Sequence, residues 1–165
     1  MLRLSTKRDL VLSNLGYIVL EETIAHWQGC YGYVENVACA IALAVNDERA
    51  KERIYNVSES SIAEADWVKA IANIIGWQGK VVILPRTQMP NTWKFEANFK
   101  HKQHWATDST RIRTELGYTE IIDRHEALER TVVWERVNPP DEDKIIKGHV
   151  QFLNYQEEDA ILANL

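Results

Sequence analysis

A run of nine apolar residues at positions 37–45 constrains the fold more than any other feature of this sequence. The run is rich in Ala, follows a polar Glu-Asn pair and ends before Asn46, which predicts a helix over residues 35–45. It is too short to span a bilayer, which takes about 20 residues. A helix that is apolar around most of its circumference has to be buried on several sides. The chain is therefore expected to fold around this helix or to cover it with a second molecule.

Short apolar segments alternate with helical patterns along the rest of the chain. The sequence predicts three short strands, at residues 17–20, 53–57 and 80–84. It predicts three further helices, capped by Ser61, Asp108 and Asp123 and ending at Ile75, at Leu116 and before Asn138. Between residues 86 and 107 the periodicity is lost, which indicates a loop. This order of elements predicts an α/β fold that is mainly helical, with a few short strands.

Four positions carry the signals for where helices begin and end. Ser61 and the Glu three residues later match a capping box, in which the two side chains satisfy backbone N–H groups at the start of a helix. Asp123 is followed by a Glu at the same spacing. Gly76 and Gly117 follow helical patterns and can adopt the left-handed conformation that ends a helix.

The charges are spread unevenly along the chain. The formal net charge of the 165 residues is -5, from 24 acidic and 19 basic residues, and residues 139–165 hold six of the acidic and two of the basic ones. We therefore expect one domain over residues 1–140, followed by an acidic tail over residues 141–165. The Lys and Arg residues are scattered and form no basic stripe, which argues against a nucleic-acid-binding protein.

The cysteines and the N-terminal sequence bear on the cellular compartment. Cys30 and Cys39 lie among small and apolar residues without CxxC spacing, which predicts buried free thiols rather than a disulfide or a zinc site. Residues 1–9 lack the apolar stretch of a secretory signal, and no segment is long enough to span a membrane. These features predict a cytoplasmic protein that does not associate with membranes.

Eight short motifs occur in order between residues 18 and 139. They are Gly32-Tyr-Val-Glu-Asn-Val-Ala38 with Ala40-Ile-Ala-Leu-Ala44, Ile54-Tyr-Asn-Val57, Glu64 to Trp67, Gly76-Trp-Gln-Gly79, Asp108-Ser-Thr-Arg111, Glu115-Leu-Gly-Tyr118, Glu126-Ala-Leu128 and Trp134-Glu135. In this order and spacing they resemble the C-terminal half of an NAD-dependent epimerase/dehydratase, from the extended short-chain dehydrogenase/reductase family that includes UDP-galactose 4-epimerase.

The resemblance implies a fold in two halves, a Rossmann half that binds NAD(P) and a smaller, mainly helical half that binds the substrate. The chain resembles the second half alone, with the Rossmann half absent apart from one late strand at residues 2–4. Its seven glycines make no Gly-rich fingerprint after a strand. The family's catalytic pair, a Tyr followed four residues later by a Lys, occurs at none of the six tyrosines. We therefore expect no catalytic residue in this chain and no cofactor bound by it alone, with NAD(P) implied only for the full-length family.

The resemblance points to three substrate-binding residues, Tyr33, Asn36 and Arg86. Tyr33 and Asn36 stand where the family's chain enters its buried helix beside the cleft, and the alternative for both is a structural role at the start of that helix. Nucleotide-sugar members of the family commonly carry an Arg shortly before this helix, but residues 27–33 contain none. A nucleotide-diphosphate substrate is thus disfavoured, although Arg86 can supply the missing charge.

Two other groups of residues have both a functional and a structural interpretation. His101, His104 and Asp108 lie within eight residues, but no Cys and no zincin-type Glu joins them, so a solvated loop explains them and no metal is expected. The six tryptophans are expected to pack in the core, since Trp67 and Trp134 lie on or beside apolar helix faces.

These observations lead to two hypotheses about function. In the first, the chain is the substrate-binding portion of an epimerase/dehydratase-like protein, binds a sugar or sugar nucleotide, and is inactive until a separate Rossmann polypeptide completes it. In the second, it is a non-enzymatic binding module or a homo-oligomeric assembly module derived from that family, which uses the face of the apolar helix to contact itself or another protein.

Overall fold

The computed structural model describes residues 16–89, 103–139 and 155–163. In chain order its elements are β1 (Tyr17–Glu21), α1 (Glu22–His26), β2 (Gln28–Gly29), α2 (Val34–Val45), β3 (Ile62–Ala63), α3 (Glu64–Ile75), β4 (Lys80–Leu84), α4 (Thr110–Leu116), α5 (Arg124–Val137) and α6 (Tyr155–Leu162). Short 3₁₀ turns lie at Glu48–Ala50 and Arg86–Gln88. About 53% of the described residues are helical, so the described structure is a mainly helical α/β arrangement, as the sequence predicts.

Two small sheets connect distant parts of the chain. β1 and β4 are parallel, with Tyr17 opposite Lys80 and Glu21 opposite Leu84. Parallel strands need a long crossover connection, and here it includes α2 and α3. β2 and β3 pair antiparallel and bring the segment before α2 against the start of α3. α3 also packs against α1 and α5, and is therefore the central helix of the described structure.

Two clusters of buried side chains form part of the described core. The first joins the parallel sheet to α6 and is formed by Val19, Leu84 and Met89, with Val82, Ile161 and Leu162 packed against it. The second joins α2 to α4 and is formed by Ala40, Ile112, Leu116 and Tyr118, with Leu43, Ala44, Ala50, Tyr55 and Val57 packed against it. Because Ile161 and Leu162 belong to the first cluster, the C-terminal helix of the acidic tail contacts the body of the protein.

Three of the predicted helix ends are confirmed. Gly76 and Gly117 follow α3 and α4 with φ values of 74° and 73°, in the left-handed region where Gly carries no steric penalty. Asp123 caps α5 by accepting a hydrogen bond at its Oδ1 from the backbone N–H of Glu126, over 3.0 Å.

The expectation that the apolar helix is buried on several sides is wrong for the described structure. Only one face of α2 packs inward, with Asn36 and Ala40 buried. The opposite face leaves Val34, Ile41 and Val45 exposed at 71%, 59% and 78%. Among the described elements, α4 and the turn at Glu48–Ala50 make the most extensive contacts with this helix.

Two residues predicted as helix caps do not occupy the cap positions. The Ser61 hydroxyl donates to Oε1 of Gln28 over 3.1 Å, and residues 62–63 pair as β3, so that α3 begins at Glu64 with no side-chain cap. Asp108 lies two residues before Thr110, the first residue of α4, and its Oδ1 accepts from the backbone N–H of Thr110 over 2.8 Å. The residue at the cap position of α4 is Ser109.

The predicted strand at residues 53–57 is absent from the described structure, because no described strand lies beside it to form a ladder. Its alternating pattern instead places Tyr55 and Val57 against the second core cluster. Cys30 and Cys39 are free, as predicted, but each is partly exposed rather than buried.

Several predictions fall on residues outside the described ranges. These are the strand at residues 2–4, the loop over residues 90–102 with His101, the domain boundary at residue 140, and residues 141–154 of the tail. Within the described residues, no helix has both the length and the apolar character that crossing a membrane requires.

Candidate functional site

A cleft of about 690 Å³ lies between residues 31–35, α3 and α5, and we call it the aromatic cleft. Four aromatic side chains line it together with small apolar and charged groups: Tyr31, Gly32, Tyr33, Val34, Glu35, Glu59, Trp67, Arg124, Ala127, Leu128, Arg130, Thr131, Trp134 and Glu135. Clefts of this size with apolar walls and a few polar groups are typical of small-molecule sites.

The stacked pair Tyr31 and Trp67 forms one wall of the aromatic cleft. The two ring centroids are 4.2 Å apart with the planes 13° from parallel. The Tyr31 hydroxyl donates to Oε2 of Glu64, the first residue of α3, over 3.1 Å. Burial, reinforced by the negative charge and hydrogen bond of Glu64, raises the pKa of Tyr31 to about 12. Tyr31 is therefore a neutral hydrogen-bond donor and not a base at physiological pH.

Tyr33 is held at the start of α2 by a carboxylate from a distant loop. Its backbone is extended, with φ -71° and ψ 140°, and its N–H donates to Oε1 of Glu59 over 3.3 Å. Its hydroxyl donates to Oε1 of Glu35 over 2.9 Å. The Tyr33 hydroxyl and then the Arg130 guanidinium hold the pKa of Glu35 below its usual range. The start of α2 thus carries an ionised carboxylate at the edge of the aromatic cleft.

Two ion pairs join the walls of the aromatic cleft. Arg130 of α5 donates through Nη1 to both carboxylate oxygens of Glu35, over 3.0 and 2.9 Å, and through Nη2 to Glu126 over 2.6 Å. Arg124 donates through Nε to Oε2 of Glu59 over 3.3 Å and through Nη2 to the carbonyl of Ser60. Both guanidinium groups are therefore already paired with carboxylates of the protein.

The far wall of the aromatic cleft contains Trp134 and Glu135. The sequence predicts Trp134 in the core, but it is 59% exposed, although it lies on the face of α5 that carries the buried Ala127, two helical turns further along the chain. Among the described residues, the Trp134 indole and the Glu135 carboxylate have no hydrogen-bond or ion-pair partner. An aromatic face and an uncommitted acceptor thus stand side by side in the cleft.

A second cleft, of about 610 Å³, adjoins the first, and we call it the polar cleft. Hydroxyls and charged groups line it: Glu59, Ser60, Thr107, Asp108, Ser109, Thr110, Arg113, Glu120, Ile122, Asp123 and Arg124. Arg113 donates to both carboxylate oxygens of Glu120, with Nη1 2.9 Å from Oε2. This contact holds the pKa of Glu120 below its usual range. The third guanidinium of the site is therefore also paired.

The three residues proposed from the sequence have different positions. Tyr33 lines the aromatic cleft. Asn36 is 1% exposed, and its amide donates to the carbonyl of Ile122 and accepts from the N–H groups of Ile121 and Ile122, which accounts for a buried polar side chain at this position without a ligand. Arg86 lies in the 3₁₀ turn after β4 and lines neither cleft. The structure therefore does not bring these three residues to one cleft.

The sequence missed Tyr31, Trp67 and Trp134 as residues of a shared cleft. They lie on three separate segments, and no local spacing relates them. Two of the candidate metal ligands take part in hydrogen bonds within the protein. His104 Nδ1 accepts from the backbone N–H of Gln28 over 3.1 Å, and Asp108 accepts from the backbone N–H of Thr110. Within residues 16–89, 103–139 and 155–163, no cluster of three or more His, Cys, Asp or Glu side chains can hold a metal ion.

Comparison with known proteins adds no identification. No family model matches the chain, and no curated protein matches it.

Proposed function

We propose that this chain binds a sugar-like small molecule in the aromatic cleft, as the substrate-binding portion of an epimerase/dehydratase-like protein. The observation that carries the proposal is the juxtaposition of Trp134, Trp67 and the unpaired carboxylate of Glu135 in one cleft of about 690 Å³. Sugar rings present C–H faces that pack on aromatic rings, and their hydroxyls donate to carboxylates. The family resemblance around Tyr33 supports the same class of ligand.

Hydride transfer in such a protein requires NAD(P), and the described residues do not fit a dinucleotide. At the end of β1 the chain enters the five-residue helix α1 without a Gly-rich turn, and the carboxylate of Glu21 accepts from the N–H of Ile24 over 3.2 Å. A pyrophosphate at this position would meet that carboxylate instead of free N–H groups. We therefore propose that a separate Rossmann polypeptide supplies the cofactor site.

Tryptophan fluorescence and calorimetry with glucose, galactose and mannose test the binding proposal. Trp134→Ala should weaken sugar binding by about tenfold or more, because it removes a stacking face. Glu135→Gln should weaken it less, because an amide still accepts a hydrogen bond. Trp105→Ala is the matched control, since Trp105 is 70% exposed and lines neither cleft. Sugar binding that is equally strong in Trp134→Ala and Trp105→Ala would refute the proposal.

We propose self-assembly through the outer face of α2 as the second candidate function. The supporting observation is the exposure of Val34, Ile41 and Val45 along one face of a helix that has no charged residue between positions 36 and 46. Two copies of such a face can pair without like-charge repulsion and cover apolar surface.

Light scattering tests this second candidate. We expect a dimer, which the double substitution of Ile41 and Val45 by Lys should convert to a monomer. Ile54→Lys is the control, because Ile54 is 82% exposed and lies off this helix. A wild-type protein that stays monomeric at high concentration would exclude assembly through this face.

A further inference from the structure

The aromatic cleft and the polar cleft meet at one ion pair. Glu59 and Arg124 line both clefts, and Nε of Arg124 lies 3.3 Å from Oε2 of Glu59. Their side chains are 10% and 26% exposed, so the pair is a well-packed ridge between the two spaces. A ligand that rests against this ridge can therefore extend from one cleft into the other.

We propose that the ligand is a neutral saccharide of at least two sugar units that spans both clefts, rather than a sugar linked to a nucleoside diphosphate. This inference rests on the proposed sugar-binding function and specifies the chemical class of the ligand. It requires that the second cleft suits a sugar and that neither cleft suits a phosphate.

The lining of the polar cleft suits a neutral, hydroxyl-rich group. Asp108 and Asp123 each use Oδ1 to cap a backbone N–H, and within the described ranges Oδ2 of Asp123 has no hydrogen-bond partner. Ser60 accepts from Arg124 through its hydroxyl oxygen, over 3.2 Å, which leaves the hydroxyl hydrogen to donate. The cleft thus offers both acceptors and donors to the hydroxyls of a polyol.

The electrostatics of the two clefts disfavour phosphate. Across both clefts the lining contains six acidic side chains and three basic ones. The three basic ones are Arg113, Arg124 and Arg130, and each already donates to a carboxylate of the protein. Binding a diphosphate would require breaking such a pair and would leave its carboxylate beside the anion. A neutral saccharide leaves all three pairs intact.

The size of the combined site also exceeds what one sugar ring needs. Each cleft alone, at about 690 and 610 Å³, lies within the range of complete small-molecule sites. A second sugar unit adds hydrogen bonds without a second loss of translational freedom, so a ligand that fills both clefts should bind more tightly than one that fills a single cleft.

Calorimetric titration of the full chain with glucose, with cellobiose, maltose and lactose, and with UDP-glucose tests the proposal. The best disaccharide should bind at least about tenfold more tightly than glucose, and UDP-glucose no more tightly than glucose. Thr110→Trp fills the polar cleft from an exposed position on α4 and should bring the disaccharide affinity down to that of glucose. Thr114→Trp is the matched control, since Thr114 is exposed on the same helix but lines neither cleft.

The outcomes separate this inference from the proposed function. Equal affinities for glucose and every disaccharide, or a disaccharide advantage that survives Thr110→Trp, would overturn the two-cleft ligand and leave sugar binding intact. Tighter binding of UDP-glucose than of any neutral saccharide would overturn the charge argument. If no saccharide binds, the proposed function itself fails, and the two-cleft ligand with it.

Discussion

Asn36 holds Ile122 through both ends of its side-chain amide. Nδ2 donates to the Ile122 carbonyl over 2.8 Å, and Oδ1 accepts from the Ile122 N–H over 3.0 Å. Asn36 lies in the first turn of α2, and Ile122 comes just before the capping residue of α5. This side chain therefore sets the position of α5, and with it the Trp134 wall of the aromatic cleft, relative to residues 31–35.

The first prediction concerns this amide. Asn36→Asp should lower the free energy of unfolding by about 3 kcal/mol at neutral pH, because a buried carboxylate would face a carbonyl and lose its donor. Part of the loss should return at acidic pH, where a protonated Asp can donate again. Urea unfolding at two pH values measures both effects. Asn56→Asp, at an exposed position, is the control and should change little, and equal losses at the two sites would contradict the role of Asn36.

The second prediction concerns the Arg113–Glu120 pair in the polar cleft. The hydrogen bond from Arg113 lowers the pKa of Glu120 in the folded state, so this pair stabilises the fold above the ordinary carboxyl pKa of 4.5 and loses its effect as pH falls below that value. Glu120→Gln should therefore cost about 1 kcal/mol at pH 7, and the difference from wild type should shrink below about pH 4.5. Thermal unfolding against pH measures this difference.

Glu129→Gln is the control for the Glu120→Gln variant. Glu129 pairs with His125 on the surface of α5 and is 54% exposed, so its loss should matter much less. A Glu120→Gln deficit that stays constant from pH 7 to pH 3 would show that ionisation of Glu120 does not contribute to stability.

The third prediction concerns Tyr31 at alkaline pH. Its pKa is raised from 10.0 to about 12 by burial and by Glu64, so the folded state keeps this proton over a range in which the unfolded state releases it. Stability should fall as pH rises from 10 to 12, and the fall should be shallower in Tyr31→Phe. Denaturant unfolding at pH 9, 10 and 11 compares the two proteins, and parallel pH profiles would contradict the assignment.

The fourth prediction compares glycines that are required for different reasons. Gly117 and Gly76 have positive φ and open space around the missing Cβ, so Ala at either position should cost only the conformational penalty, about 1 kcal/mol. A Cβ at Gly79 would overlap the carbonyl oxygen of Gly16 and the indole of Trp77. Gly79→Ala should therefore cost more, about 2 kcal/mol or above. Chemical unfolding of the three variants ranks these costs, and a smaller loss at Gly79 than at Gly117 would refute the steric argument.

Local chemistry was enough to predict the features that depend on neighbouring residues. The ends of α3 and α4 at Gly76 and Gly117, and the cap of α5 at Asp123, follow from one or two side chains acting on their own backbone. Ser61 has the same local signature, yet its hydroxyl binds Gln28, which is 33 residues away in the sequence. Because Gln28 is distant in the sequence, no pattern around Ser61 could indicate that the hydroxyl binds Gln28 instead of capping the helix.

The candidate site was harder to predict for the same reason. The family resemblance indicates Tyr33, and this residue lines the aromatic cleft. Helical periodicity predicts that Trp134 is buried, because it places this residue on or beside an apolar face of α5. In the structure Ala127 is 5% exposed and Trp134, two helical turns further along the same face, is 59% exposed, so the covered part of this face ends before Trp134. Its exposure is a tertiary property with no counterpart in the periodicity.

The pairing of β1 with β4 has a consequence for the order of folding. Lys80 follows Tyr17 by 63 residues, so this sheet closes a long loop, whereas α2 and α3 form within that loop from local contacts. Helix formation inside the loop lowers the entropic cost of bringing the two strands together. We therefore expect strand pairing to be the late, rate-limiting step of folding. In pulse-labelled refolding, the amide of Ala72 should gain protection from hydrogen exchange before the amides of Val19 and Val82. The parallel sheet would then be the last element to form, after the helices between its strands.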